Sequence, residues 1–552
     1  MQNIITLWLR NNIGLLALLV VVFCVYIPSL SGDFVIDDVI FIKDNPYITD
    51  IGHLTRFFTK GLWENSSLGV DTEAMYRPMN LVPMMINHAL WGNSPFGYHV
   101  FLLLLHLANT CLVYLLVRKL TSGSLMAATL GAALFALHPT RVESVAWISG
   151  GIDPWVTFFL LGALLAHLSF LASLERVKQW RFLLLSLLFF QLALWSKEVA
   201  IIFPVIVVAH DWIYRKKFNW SIALFQAAIV IAYLIARRVV LGETGKWSDL
   251  DLTHFSKVID FGLGYGQMLL FPTHIPLYIQ PPEHTVSSGI AMVSAIVMAA
   301  MLGFCWKVFD VNRRRVLAFA IIWMIGFFWP AVLLAFYTNG FYAGRFLYVP
   351  ALGVAIFVAV LYDYLNAHYP RLRVALIATG TVLIIFYSFV TWRDIPAWHN
   401  TATIYGKVAH DSPENAVGLV GMGDYYFNQG DYVAAERNYL LALEKSKTPQ
   451  MRVSSLVNLG TINGMNNNLA QSEAYLKEAV KIDPKSSQAW TGLGNLALMK
   501  GDYFEAISSY EKAITINSKN YEAAMNLAAA YDKTGQFQRG DLLRRQAAAI
   551  PH

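Results

Sequence analysis

Long apolar stretches, separated by short polar ones, fill the chain from about residue 11 to about residue 392. About twenty consecutive apolar residues allow an α-helix to cross the hydrocarbon core of a bilayer. The pattern predicts about eleven such spans, near 11–30, 99–117, 124–138, 155–172, 182–196, 199–214, 219–238, 286–306, 316–336, 346–366 and 374–392. A further apolar stretch, Phe261 to Tyr278, carries Pro272, Pro276 and three glycines, which weaken it as a full helix. It is expected to be a re-entrant or interfacial segment. The first run has a small-residue site at Ser29-Leu30-Ser31, but only Arg10 precedes it as a basic residue, so a retained anchor is expected rather than a signal peptide. Residues 31–98 make a loop too long to lack structure of its own. In it, Leu54 to Trp63 and Asn80 to Trp91 place apolar residues at helical spacing, which predicts two amphipathic helices in the membrane interface.

Beyond Trp392 the pattern changes to amphipathic helices with a period. Gly430, Asn467, Gly501 and Gly535 follow one another at 37, 34 and 34 residues. Trp490, Leu493, Gly494, Gly501, Ala506, Tyr510 and Ala513 stand at positions that resemble the 34-residue tetratricopeptide repeat, a helix-turn-helix unit. Four repeats are expected, near 416–449, 453–486, 487–520 and 521–552. Most of their small and aromatic residues are read as packing between neighbours. The concave face is the part free to hold an extended peptide or partner.

Composition supports this division. Hydrophobic residues make up 56% of the chain and charged residues 14%, against roughly 45–50% and 25% in soluble proteins. The class is therefore all-α: a polytopic membrane helix bundle over 1–398, followed by a soluble repeat solenoid over 399–552. The net charge of +6 comes largely from short loops and calls for no nucleic-acid partner. Basic clusters at Arg118–Lys119, Arg176/Lys178/Arg181, Arg215/Lys216/Lys217, Arg313–Arg315 and Arg371/Arg373 alternate with loops bearing Asp37/Asp38, Glu143/Asp153, Glu198 and the Glu243 to Asp260 stretch. By the positive-inside rule the basic loops are cytoplasmic. The acidic loops and the repeats then share the other side. Cys24, Cys111 and Cys305 lie in or near apolar runs and read as small core residues.

Polar groups gather at the span ends on that acidic side. Asp37 and Asp38 follow the first span among Phe34, Val35, Ile36, Val39, Ile40 and Phe41. A carboxylate in apolar surroundings is costly to ionise and suits a proton acceptor for a hydroxyl, although an ordinary acidic turn has the same composition. Arg77, His99, His138, Glu143, Asp153, Lys197, Glu198 and Arg345 also stand near span ends, where ionisable groups are functional candidates. Each has a plain alternative; Lys197 and Glu198 could simply pair with each other. Taken together, an acid with fixed cations on one face suits transfer from a phosphate: the carboxylate activates an acceptor hydroxyl while Arg and Lys neutralise the leaving group.

The ordered motifs Phe34-x-x-Asp37-Asp38, Tyr76-Arg77-Pro78, Phe96-x-Tyr98-His99 with His106 downstream, His138-Pro139-x-x-x-Glu143, Ser196-Lys197-Glu198 and Arg345-x-Leu347-Tyr348-x-Pro350 resemble the transmembrane and tetratricopeptide-repeat O-mannosyltransferases of the GT-C superfamily. The resemblance covers nearly the whole chain. It implies an inverting transfer of sugar from a polyprenyl phosphate donor, dolichyl-type or undecaprenyl-type, to Ser or Thr of a protein. It places the essential acid in the first outer loop, at Asp37 or Asp38. Asp37 is the expected base and its neighbour orients the hydroxyl or a metal. Arg345 and Lys197, with Arg77, are expected on the donor phosphate. His138, Glu143, Asp153, Glu198 and His99 are expected to position donor or acceptor. A divalent metal (Mg or Mn) is compatible with the family and not required by it; Asp37 and Asp38 would hold it. Arg141 stands where relatives often have His, and Gly151 where they often have Arg. Few repeats follow and no ER-retention tail is seen, so a bacterial inner-membrane protein with periplasmic repeats is expected, the alternative being the ER membrane with lumenal repeats. The competing readings are a transferase for a glycan or lipid acceptor, a transporter, and a non-enzymatic scaffold that docks proteins through its repeats.

Overall fold

The computed structural model describes residues 2–68, 75–216, 219–242, 255–273, 275, 277, 288–337, 343–413, 416–446 and 448–547. Among them every regular element is helical and no strand occurs. They fall into two compact units, divided between His399 and Asn400 apart from a short piece of the first loop.

In the first unit the helix Pro95–Leu120 is central. It packs on Leu125–Leu137, on Ile152–Ala172 and on Gln2–Tyr26, and 56% of its most apolar window is buried, against 11% for Trp220–Leu241. The latter leaves Leu224, Ile231, Ile235 and Val239 exposed. A helix with an apolar outer face and a satisfied backbone is built for lipid, not for water. Six helices are long and apolar enough to cross a membrane, and a bent pair, Leu125–Leu137 with Pro139–Ala146, would make seven. The other four spans expected from the sequence (near 199–214, 286–306, 316–336 and 346–366) fall on helices that are shorter or described only in part. The molecule is a membrane protein; eleven spans is more than length and apolarity alone establish.

The bent pair turns by 54° at His138, because Pro139 offers no N–H to continue the helix and pushes its predecessor out of the helical region. The stretch expected to re-enter begins as the helix Phe255–Leu270, which stops ahead of Pro272. Pro276, Tyr278 and most of the Glu243 to Asp260 stretch lie outside the described residues.

The loop after the first helix is folded. Phe34, Phe41, Ile42, Ile48, Phe57, Leu62, Leu81, Met84, Met85 and Tyr98 form a buried core with Ile148. The second amphipathic helix is present as Pro78–Trp91, started by a proline at its first position. The first is shorter than its apolar spacing suggests: Leu54–Thr59, followed by a separate turn at Trp63–Asn65. The reason is local. The buried Asn65 amide donates to the carbonyls of Lys60 and Gly61, taking acceptors that a longer helix would use.

The second unit is an array of antiparallel helix pairs: Ala416–Asn428 with Tyr432–Lys445, Pro449–Met465 with Leu469–Ile482, Ser487–Lys500 with Tyr503–Ile516, and Tyr521–Lys533 with Phe537–Ala547. Gly430, Gly501, Gly535 and Asn467 all have φ between 63° and 78°. Asn tolerates this left-handed turn, so the repeat survives without its glycine. Small residues let the pairs close: a Cβ on Gly423 would come 2.4 Å from the Tyr439 ring, and one on Gly494 2.5 Å from Tyr510. One helix precedes the expected first repeat. Thr401–Asp411 is held at its start by a capping box of Asn400 and Thr403 and packs on the next helix.

Candidate active site

The acidic pair sits on a strained turn. The chain leaves the first helix through Ile27–Ser31 and passes the His99 ring at Gly32, where any Cβ would lie 2.8 Å from Nε2. The Asp33 N–H donates to the carbonyl of His399 at 2.8 Å, joining the start of the turn to the point where the first unit ends. Ile36 has φ 51°, a conformation that a β-branched residue adopts only under constraint. Beyond it Asp38 turns inward and is fully buried. Its Oδ1 accepts from the Ser149 N–H (2.7 Å) and hydroxyl (2.5 Å), and its Oδ2 from the Val35 N–H (3.1 Å). Asp37 stays half-buried. A wide π-type turn, Val39–Lys43, follows. Asn45, also buried, then locks the loop by donating to the carbonyls of Phe41 and Asn65.

Burial raises the Asp38 carboxyl to about 7, against the pull of the donors from Ser149 and Val35 and with a small push from the Asp37 charge. Both Asp38 oxygens are nevertheless occupied by the loop's own donors. A divalent metal held here would draw on Asp37 and on the remaining lone pair of Asp38 Oδ2. Among the described residues, the group of donor atoms close enough to share an ion is elsewhere: His167, His210 and Asp211, all buried and within 4.8 Å of one another. There Asp211 Oδ1 accepts from both rings, at 3.1 and 3.2 Å.

The sequence-derived cations and acids meet as ion pairs. Arg345 Nη1 pairs with Glu143 Oε1, and the Arg345 N–H donates to Glu143 Oε2 at 3.0 Å. Lys197 Nζ lies 2.6 Å from Asp153 Oδ1. Arg77 grips Glu198 with Nε at 2.9 and 3.1 Å and Nη2 at 2.8 Å, and Arg237 reaches the same carboxylate at 3.4 Å. Lys197 and Glu198 do not pair with each other, as the plain reading had it; the break in the helix at Lys197, whose backbone is extended, sends the two side chains to different partners. Glu143 and Asp153 are buried while Arg345, Lys197 and Arg77 keep 12–19% of their side chains exposed. Glu143 and Asp153 therefore lie beneath their cations, whereas Glu198 is more exposed than Arg77. Lys197 and Arg345 flank one ring, Phe346, at 5.3 and 5.2 Å. Lys197 also feels Arg77. Burial, with Arg77 and Arg345 adding, lowers the Lys197 ammonium below its ordinary value while Asp153 opposes. Burial alone would raise Glu198; Arg77, its own backbone N–H and Arg237 together outweigh it and hold the carboxyl low. Four cations against three carboxylates leave this face positive, a setting for an anion.

The histidines do not join this face. His138 spends Nδ1 on Thr140 (2.9 Å) and Nε2 on the Leu269 carbonyl (3.1 Å), bracing the bend. His99 packs against Gly32. His106 bonds the Tyr348 hydroxyl (2.7 Å) and the Ala136 carbonyl (3.0 Å). Several residues that shape the site carry no sequence signal. Ser149 is a serine like any other. The Trp147 ring lies 4.9 Å under the Arg345 guanidinium and stacks on Trp398 at 5.5 Å. Arg237 could have been noticed, since Arg237–Arg238 closes an otherwise apolar helix. Arg141 is buried among Phe135 and Tyr348.

The tetratricopeptide-repeat family matches residues 420–487 and 465–521. Across the longer chain, a Caenorhabditis elegans protein named Protein O-mannosyl-transferase F38B6.6 is 26% identical, covering 79% of this chain and 63% of its own. Human Protein O-mannosyl-transferase TMTC3 is 22% identical over 93% of this chain and 65% of its own. Human Protein O-mannosyl-transferase TMTC1 is 25% identical over 81% and 57%. The chain thus spans about three fifths of the length of these relatives. It is a tetratricopeptide-repeat membrane protein related in sequence to the proteins named protein O-mannosyl-transferase.

Proposed function

We propose that the protein is an inverting membrane glycosyltransferase that moves a sugar from a polyprenyl phosphate donor to Ser or Thr of a protein. The observation that carries this reading is the turn bearing Asp37 and Asp38, held by Asp38 on Ser149, two residues from the Trp147 ring that lies under Arg345 of the positive face. The names of the relatives support the same class of reaction.

In this reading the acceptor oxygen attacks the anomeric carbon from the side opposite the phosphate. The hydroxyl proton passes to the Asp37 carboxylate, the bond from the anomeric carbon to the phosphate oxygen breaks, and its electron pair leaves on the lipid phosphate. Arg345 and Lys197 offset that charge, with Glu143 and Asp153 as positioning residues beneath them. Asp38 is a positioning residue too: it fixes the turn on Ser149 and leaves Asp37 the less buried of the two. The lipid tail has apolar space available. Two neighbouring cavities of about 210 and 310 Å³ share Leu269, Leu270, Val354 and Val358, and the first reaches Leu347, two residues from Arg345. A bacterial inner membrane, with the repeats on the periplasmic side, remains the proposed location.

The test is transfer by purified protein from a polyprenyl phosphate sugar of known anomeric configuration to a Ser/Thr peptide, read by NMR. Wild type should give product of the opposite configuration. Asp37→Asn should reduce the rate by at least about 10²-fold, the lower end for a general base, with donor binding retained. Retention of configuration, or full activity in Asp37→Asn, would overturn the mechanism; no transfer to peptide would overturn the acceptor class.

A further inference from the structure

The first unit buries three ionisable groups that the transfer chemistry does not use. His167 lies in the last turns of Ile152–Ala172, and His210 and Asp211 lie near the end of Phe203–Arg215. His167 Nε2 stands 3.1 Å from Asp211 Oδ1, and His210 Nδ1 stands 3.2 Å from the same oxygen. All three residues are buried, with donor atoms within 4.8 Å of one another. Asp153 opens the helix that His167 closes, so the trio sits about 21 Å along that helix from the positive face. Both helices turn basic at this end, with Arg176 and Lys178 after one and Arg215 and Lys216 at the other. The positive-inside rule therefore predicts that the trio lies toward the cytoplasm, across the bilayer from Asp37.

Asp211 is poorly compensated by these neighbours. Neutral rings give it two N–H donors and no charge. Arg215 keeps its Nη1 3.8 Å from Oδ2 and leaves 43% of its side chain exposed, against 3% for Asp211. A buried carboxylate without a close charge is costly. A proton on one ring would supply that charge, and so would a metal ion held by all three. The donor set is that of zinc, two imidazole nitrogens and a carboxylate oxygen. It does not suit magnesium or calcium, which take oxygen ligands. A tetrahedral zinc with bonds of about 2.0–2.1 Å sets its ligand atoms about 3.3–3.4 Å apart. Both separations from Asp211 lie within about 0.3 Å of that, and the two ring nitrogens need to approach by at most about 1.5 Å. The dipeptide alone is not the signal. In the repeats His410 Nδ1 also stands 3.2 Å from Asp411 Oδ1, but His410 is 87% exposed. Among the described residues no third donor completes that pair. What distinguishes the buried copy is His167, brought in from another helix.

We propose that His167, His210 and Asp211 bind one zinc ion, which clips Ile152–Ala172 to Phe203–Arg215 at the end away from the transfer site. Three protein ligands leave a fourth position for water. The ion holds the helix whose other end seats Asp153 under Lys197. This site goes beyond the transfer reaction and stands without it.

The test uses the full chain without a histidine tag, purified in detergent, stripped with a chelator, and titrated with Co²⁺ and then Zn²⁺. Co²⁺ should give the visible d–d bands of a four-coordinate site at one ion per chain, and Zn²⁺ should displace it, following the affinity order of the two metals. Zn²⁺ should also raise the thermal midpoint of wild type. His167→Ala and Asp211→Asn should each weaken binding at least about tenfold, the loss that even a group behind a ligand can cause, and should abolish the midpoint shift. Asp211→Asn keeps the shape and an acceptor for the rings, so it carries the test if His167→Ala does not fold. Arg215→Gln removes a cation that competes for Asp211 and should bind as tightly as wild type or more so. His410→Ala should bind as wild type. No saturable site at one ion per chain in wild type, undiminished binding in Asp211→Asn, or lost binding in His410→Ala would each overturn the proposal. The first of these is the result expected of a trio held by a proton instead.

Discussion

A β-branched residue at positive φ costs on the order of 1–3 kcal/mol, so the turn at Ile36 must be held by its surroundings. It is held by Gly32 against His99, by Asp33 on the His399 carbonyl, and by the three donors to Asp38. This separates two aspartates that look equivalent in sequence. Their position and apolar setting were legible in the Phe-x-x-Asp-Asp motif; which one is fully buried was not, because that depends on Ser149, a hundred and more residues away. A pH prediction follows from Asp38. Its carboxyl is raised from 3.8 to about 7, so between those values the folded state binds more protons than the unfolded one. Stability therefore falls as pH rises through that window. Asp38→Asn cannot titrate, so the thermal midpoint of wild type minus that of Asp38→Asn should decrease from pH 4 to pH 7. A difference independent of pH across that range would contradict the burial argument.

At the scale of elements, the site is assembled by breaks in helices. Glu143 lies just past the proline bend, Asp153 in the first turn of Ile152–Ala172, Lys197 at the end of Arg176–Ser196, and Arg345 in the turn ahead of Leu352–His368. Apolar patterning located these breaks, and with them the charged residues, because a polar group at membrane depth stands out against its neighbours. It could not say who pairs with whom, since the partners lie 44, 121 and 202 positions apart. Glu143→Gln keeps a hydrogen-bond acceptor for the Arg345 N–H but removes the charge that holds the guanidinium. We expect the donor KM to rise by about tenfold, the loss of one charge-assisted hydrogen bond, with a smaller fall in kcat. Combined with Arg345→Ala it should add little, because the two act together. Full additivity in that cycle would mean that Glu143 works independently of Arg345.

For the whole molecule, the repeat period was readable down to the turn positions, Asn467 included, because left-handed turns and close glycine contacts leave few residue choices. The helix Thr401–Asp411 was not, as a single cap without period leaves little trace. Among the described residues six helices, or seven with the bent pair, meet the length and apolarity of a span, and the other four expected spans are not decided by them. The positive-inside rule predicts that the repeats share the face of the acidic turn. Cysteines placed at Ile51 and Val433, both largely exposed, in a chain freed of Cys24, Cys111 and Cys305, should react with an impermeant maleimide from the same face of the membrane. Labelling from opposite faces would separate the repeats from the site. The central claim, sugar transfer to protein with Asp37 as base, is tested most directly by the intact mass of acceptor proteins from cells carrying wild type, Asp37→Asn, or no copy of the chain. The account predicts added sugar mass with wild type only; the same masses in all three would contradict it.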